Sequence, residues 1–283
     1  METVGNNTLV YQYTLGNEYP PPMIEYEPVR WIAYLMSVVF PLLAVRMLMV
    51  GRAMRAPWLC VGALAPSLMF LALVLRGAMG SESDAFRMYE AQAVLYLSAG
   101  VVLTAMHLVV AAKWQVRAKR ARPSVVGRFL THAALAYALA GVACVSAGVP
   151  LSFDSSEARR VGGYRLVAAA LAVTLGMVVL GAGLAAYHTD RRGAAQVAIV
   201  AAPAVLLAAW ASYALACTSL PMHSTANASD ALFYCLGVLP AAGAAGVWAG
   251  AAEDALGAGQ ACCAACPRCL REVRVQQAMG AYA

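Results

Sequence analysis

Seven stretches of uninterrupted apolar character divide this chain, each about the ~20 residues that a helix needs to cross a ~30 Å hydrocarbon core. They are Trp31–Val50, Pro57–Met79, Ala91–Ala112, Phe129–Leu151, Tyr164–Tyr187, Ala195–Cys217 and Ala231–Ala251. Charged and turn-forming residues collect between them, and no stretch carries an Asp or Glu in its interior. Lipid offers the backbone no hydrogen bonds, so each stretch is predicted to be a helix. The expected fold is all-α: a polytopic seven-transmembrane-helix bundle over residues 31–251. An N-terminal tail (residues 1–30) and a Cys-rich C-terminal tail (residues 252–283) flank it, with no room for a second globular domain. Spans without a buried acid point away from proton or sodium pumping and toward binding, sensing or moving something apolar.

Composition agrees: of 283 residues, 62% are hydrophobic and 12% charged, with a mean hydropathy of +0.67. Soluble domains seldom look like this. The net charge of +6 matters here for sidedness rather than for nucleic acid, which is not an expected partner. The first apolar run follows an acidic tail without a basic n-region, so it is expected to act as a signal anchor rather than a cleaved signal peptide.

The Lys and Arg residues divide unevenly between the two sides. The links after spans one, three and five and the C-terminal tail hold Arg46, Arg52, Arg55, Lys113, Arg117, Lys119, Arg120, Arg122, Arg128, Arg191, Arg192, Arg268, Arg271 and Arg274. The other side holds Arg30, Arg76, Arg87, Arg159, Arg160 and Arg165. Positive loops stay cytoplasmic, which predicts the N-terminus outside and the C-terminus in the cytosol. The sequons at Asn6 and Asn227 both fall on the predicted outer side as candidate glycosylation sites. Trp31, Trp58 and Trp114 sit at span ends, as interface anchors do. The six cations from Lys113 to Arg128 predict attraction to anionic inner-leaflet lipids, at about 1 kcal/mol each.

Within the spans, Pro41, Pro66, Pro203 and Pro240 each remove a backbone hydrogen bond and predict kinks. The small-xxx-small pair Gly246 and Gly250 is expected to serve packing between helices of the bundle. Polar residues are few. Arg76 closes span two, and its expected course is outward to water or headgroups. Gln92 and Tyr96 open span three. Thr104 and Thr174 lie mid-membrane, and His107 and His132 are ionisable groups within spans three and four. His107 either lines a functional cavity or snorkels and bonds a carbonyl.

Cys60, Cys144, Cys217 and Cys235 are expected to be packing residues, with a Cys217–Cys235 disulfide as the alternative for the last pair. Cys262, Cys263, Cys266 and Cys269 cluster just past the last span beside basic residues, which favours S-acylation. Zinc or an iron–sulfur cluster is the competing reading of the CxxC spacing, and plain thiols the third. No P-loop, metalloprotease motif, catalytic triad spacing or span-seven Lys is present, so no enzymatic activity, cofactor or metal is expected. The marks of rhodopsin-like receptors are also missing.

The order of landmarks resembles the fungal lipid-translocating exporter (Rta-like) family. Tyr26-Glu27-Pro28 precedes span one and Pro57-Trp58 opens span two, which Arg76 closes. Tyr89-Glu90-Ala91-Gln92 opens span three, Arg122-Pro123 precedes span four, and Asp230-Ala231-Leu232 opens span seven. The resemblance covers roughly residues 26–252. It departs where the family carries acidic or amide groups, since Met69, Ala133 and Ala140 stand at those places. The resemblance implies a plasma-membrane protein that exports or flips sphingoid bases or sterol-like amphiphiles. Arg76, Gln92, Tyr96 and His107 are the substrate-binding candidates, and membrane lipids the partners. Two other readings stay open. One is a seven-helix receptor or sensor with a cytoplasmic protein partner on its basic loops. The other is a structural subunit of a membrane complex.

Overall fold

The computed structural model describes residues 29–53, 56–79, 85–118, 125–154, 156–187, 194–219 and 229–256. Among them the chain is helical throughout, and seven helical segments are long and apolar enough to cross a membrane: Arg30–Ala53, Pro57–Ala78, Arg87–Lys113, Phe129–Ser152, Glu157–Leu184, Val200–Thr218 and Asp230–Gly250. They are called spans one to seven below. The predicted spans match these, with shifts at the ends. Span five begins at Glu157 rather than Tyr164, and the last helix continues to Leu256.

Prolines set the local breaks. Span one is two helices, Arg30–Ser37 and Val39–Ala53, and span two is Pro57–Gly62 and Leu64–Ala78. Each break, at Val38 and Ala63, falls three residues before a proline, Pro41 or Pro66. A proline ring presses on the preceding turn and leaves its carbonyls short of a donor. The Ser67 hydroxyl donates to the Ala63 carbonyl at 3.0 Å, beside the second break. Before Pro240 the helix widens instead into a π-helical segment, Phe233–Val238, which ends with the Leu239 amide donating to the Tyr234 carbonyl. Pro203 and Pro150 lie inside continuous helices, and Pro150 was not among the expected kink sites.

Span three is the axis of the bundle. Its apolar window is 78% buried, against 28–50% for the other six, and its helix, Ala85–Ala118, is the longest. Span one turns Leu35, Leu42 and Val45 outward, span four Leu135 and Leu139, and span five Val173 and Val179. Large apolar side chains facing away from the core on several spans are what a lipid-facing surface requires. Between spans four and five, the Tyr137 hydroxyl donates to Thr174 Oγ1 at 2.6 Å, and Thr174 donates to the Ala170 carbonyl at 2.7 Å. Thr174 is thus a buried hydrogen-bonding link between helices.

Two packing expectations are corrected. Nothing stands within 4 Å of a Cβ built on Gly250, and one built on Gly246 meets only Leu43, at 4.0 Å, so this pair does not seat a close helix neighbour. The close approaches are elsewhere. The indole of Trp210 of span six presses its six-membered ring against Gly100 of span three, leaving no space there for a Cβ. Cys217 and Cys235 are not joined by a disulfide, and Cys235 is exposed rather than packed.

Candidate functional site

The site is built where spans two, three, six and seven meet near one end of the bundle. Arg76, in the last turn of span two, does not reach outward to water or headgroups as expected. It is 3% exposed, and its Nη2 donates to Asp230 Oδ1 at 2.7 Å. The reason is a partner that waits inside: Asp230 is the first residue of the seventh span, not a residue in front of it. Its second oxygen, Oδ2, accepts the Val29 backbone N–H at 2.8 Å. One carboxylate therefore ties together the start of span one, the end of span two and the start of span seven. Ser229 caps the same helix start, accepting from the Leu232 amide at 3.3 Å.

Aromatic rings complete the surroundings. The Arg76 guanidinium stands over the Phe233 ring at 3.9 Å and lies 6.0 Å from that of Tyr234, the distance range of cation–π attraction. Phe233 touches Tyr234 edge-on at 5.2 Å and Tyr96 at 5.2 Å. Tyr96 in turn lies 5.9 Å from Trp210. The chain of contacts from Arg76 through Phe233 to Tyr96 and Trp210 runs from the charged end into the bundle.

Tyr96 sits with its hydroxyl against Gly237, where a Cβ would collide with it. That glycine lies in the π-helical segment. The Tyr96 hydroxyl and the Trp210 indole N–H approach each other without closing a hydrogen bond of ordinary geometry. Gln92, one turn before Tyr96, is buried at 3% exposure. His107 lies 11 residues beyond Tyr96, roughly 16 Å farther along the helix axis. It is fully buried, and neither ring nitrogen has a hydrogen-bond partner. The expected alternative, a bond to a carbonyl, is not made. Its neighbours are Gly181 of span five, where an added Cβ would stand 2.7 Å from the His107 ring, and Trp248 of span seven, 6.3 Å between ring centroids. The Trp248 indole N–H is also buried without a partner.

The structure thus brings Arg76 and Tyr96 together through Phe233, and places His107 apart from them on the same helix as Tyr96. Three participants escaped the sequence reading, Phe233, Trp210 and Trp248, and Asp230 entered it only as a landmark opening span seven, not as a partner of Arg76. For Trp210 a signal existed, because it stands mid-span rather than at a span end, where interface anchors sit; Trp248, near the end of span seven, offered none. The candidates Asn6, Asn227, Cys262, Cys263, Cys266 and Cys269 lie outside the described residues, as does most of the cationic link between spans three and four. Among the described residues no group of three or more His, Cys, Asp or Glu is placed to hold a metal ion.

Fold and site together define an integral membrane protein with seven membrane-length helical segments among its described residues, a part-buried ion pair and a polar, aromatic seam along its central span. In comparisons with protein-family models, curated proteins and solved structures, nothing matches the chain.

Proposed function

We propose that this protein binds an amphipathic lipid, of the sphingoid-base or sterol-like kind, between spans two, three, six and seven and lets its headgroup cross the membrane without ATP. The observation that carries this reading is the seam itself. Tyr96, Trp210, His107 and Trp248 present buried polar atoms with no hydrogen-bond partner, all at contacts of span three with spans six and seven. Each such atom costs about 1–3 kcal/mol when left unpaired. Two such residues on span three, Tyr96 and His107, each faced by a tryptophan of span six or seven, begin beside an ion pair and form a graded path for a polar head whose tail lies in the surrounding lipid.

The Arg76–Asp230 pair suits an ammonium headgroup. Asp230 supplies the countercharge, and Phe233 and Tyr234 supply ring faces that attract a cation. The resemblance to lipid-translocating exporters points to the same chemistry. The uneven spread of Lys and Arg favours an outer-half position for the ion pair, with the N-terminus outside, and the resemblance implies the plasma membrane as the location. The links near Lys113 then rest on anionic inner-leaflet lipid.

The test is transbilayer movement in proteoliposomes. A fluorescent sphingoid base placed in the inner leaflet becomes accessible to an external quencher as it crosses. The wild type is expected to speed this step at least tenfold over protein-free liposomes, and Asp230→Asn to remove most of the gain. Equal rates with and without protein would overturn the reading.

A further inference from the structure

We propose that the inner end of the seam, between His107, Trp248 and Gly181, is a separate recognition site for an uncharged hydroxyl group on an apolar ligand. The inference rests on the reading of the bundle as an amphiphile binder and deepens it by naming a second contact of different chemistry. His107 and Trp248 are buried at 0% and 1% exposure, and their ring nitrogens have no partner among the described residues. They come from different spans, so two independent parts of the chain deliver unpaired polar atoms to one place.

The donor and acceptor inventory selects the ligand. Neutral imidazole offers one N–H and one bare nitrogen, and indole offers one N–H only. A hydroxyl oxygen accepts from the Trp248 N–H while its proton goes to the bare imidazole nitrogen. Two bonds of about 2.9 Å at the bent angle of one hydroxyl oxygen hold two nitrogens roughly 5 Å apart, and the rings that carry these nitrogens lie 6.3 Å between centroids. An ammonium group donates only and leaves the indole N–H unpaired. A ketone accepts only and leaves the bare imidazole nitrogen unpaired. A carboxylate likewise accepts only and leaves the bare imidazole nitrogen unpaired. Gly181 fixes the arrangement: a Cβ there would stand 2.7 Å from Cδ2 and 2.8 Å from Nε2 of His107, so the imidazole reaches this position only against a glycine.

The experiment is photolabelling of the full chain in nanodiscs with a twelve-carbon alcohol carrying a diazirine beside its hydroxyl, followed by mass-spectrometric mapping. Label is expected around His107 and Trp248, displaced by 1-dodecanol but not by dodecane or dodecylammonium. Trp248→Phe keeps the ring and deletes the N–H, and is expected to lower site labelling about fivefold, as loss of one hydrogen bond does. His107→Phe is expected to lower it further. If His107→Phe does not fold, Trp248→Phe decides alone. Undiminished labelling in Trp248→Phe, or equal displacement by dodecane, overturns the inference. The sphingoid-base assay, run on the same Trp248→Phe protein, keeps the two readings apart: lost labelling with retained movement supports the hydroxyl site, and loss of movement in the wild type alone strikes the function proposed above.

Discussion

Removing one partner of the Arg76–Asp230 pair is the most informative single perturbation. The two groups meet at 2.7 Å with side-chain exposures of 4% and 15%. At an effective dielectric of about 20, that separation corresponds to ~6 kcal/mol of gross attraction. Desolvating both groups offsets most of it, so the pair's net contribution is small, whereas leaving one charge buried alone costs about 3–5 kcal/mol. Asp230 also accepts the Val29 amide, so Asp230→Asn is expected to fall near the lower figure and Arg76→Met near the middle. For a chain of this size, about 3 kcal/mol corresponds to a fall of roughly 6–12 °C in Tm. The double variant Arg76→Met/Asp230→Leu leaves no orphan charge and is expected to melt within about 1 kcal/mol of the wild type. The assay is thermal unfolding in detergent, read with a thiol-reactive fluorogenic dye. Cys60, Cys144 and Cys217 are half-buried cysteines outside any disulfide and become reactive as the bundle opens. A double variant that loses the sum of the two single losses would refute the reasoning, because it would mean that each charge is stabilised independently of the other.

Other consequences are equally direct. Gly100→Ala drives a methyl into the Trp210 ring and is expected to lower the Tm by an amount equivalent to about 1–3 kcal/mol. Gly176→Ala, at which nothing stands within 4 Å, is expected to be neutral or stabilising by up to about 1 kcal/mol, so the pair of variants in one melting experiment separates crowding from helix propensity. Tyr137→Phe deletes the bond to Thr174 while Thr174 keeps its bond to Ala170, and a loss of about 1 kcal/mol in the same melts checks it. Between spans four and five, the Ser156 amide donates to Asp154 Oδ1 at 2.8 Å and, with help from Arg159, holds that carboxyl below its ordinary pKa. A depressed folded-state pKa means the contribution is present above the ordinary value near 4 and is lost as pH falls through the lower one. Protection of the Ser156 amide against hydrogen exchange should therefore drop below about pH 4 in the wild type and be low at every pH in Asp154→Ala.

The seven spans were legible because hydropathy is a local, additive signal, and a membrane leaves the backbone no alternative to the helix. Span ends were less so. Reading inward from charge excluded Asp230 from the seventh span, although a carboxylate in the first turn of a helix is favoured by the helix dipole. The same exclusion sent Arg76 outward, since its partner lies 154 residues away and no local pattern announces such a pair. Both residues were picked out separately as landmarks, but their contact is a property of the bundle. The prolines were visible, yet their effects differ with position: Pro41 and Pro66 follow breaks, while Pro240 follows a widened turn. Which carbonyl a displaced amide finds is settled by packing, not by the proline. The tryptophans at Gly100 and His107 escaped for a related reason, since a large residue facing a small one across two helices leaves no periodic trace in either.

On the proposed reading, the ion pair constrains how a ligand enters. Arg76 and Asp230 cancel one another, so an ammonium headgroup that joined them would leave a net positive charge beneath the rings of Phe233 and Tyr96. In a site this buried that uncompensated charge costs several kcal/mol. The headgroup must therefore take the place of Arg76 at Asp230 rather than add to it. Displacing the guanidinium from the Phe233 face, 3.9 Å away, frees the end of span two from the starts of spans one and seven, because the same carboxylate holds all three. Entry and loosening of the bundle thus become one event. The π-helical turn at Phe233–Val238 starts three residues past Asp230, where it can absorb the change beside the pair, and the breaks at Val38 and Ala63 lie farther along the other two spans, while the long third helix stays fixed.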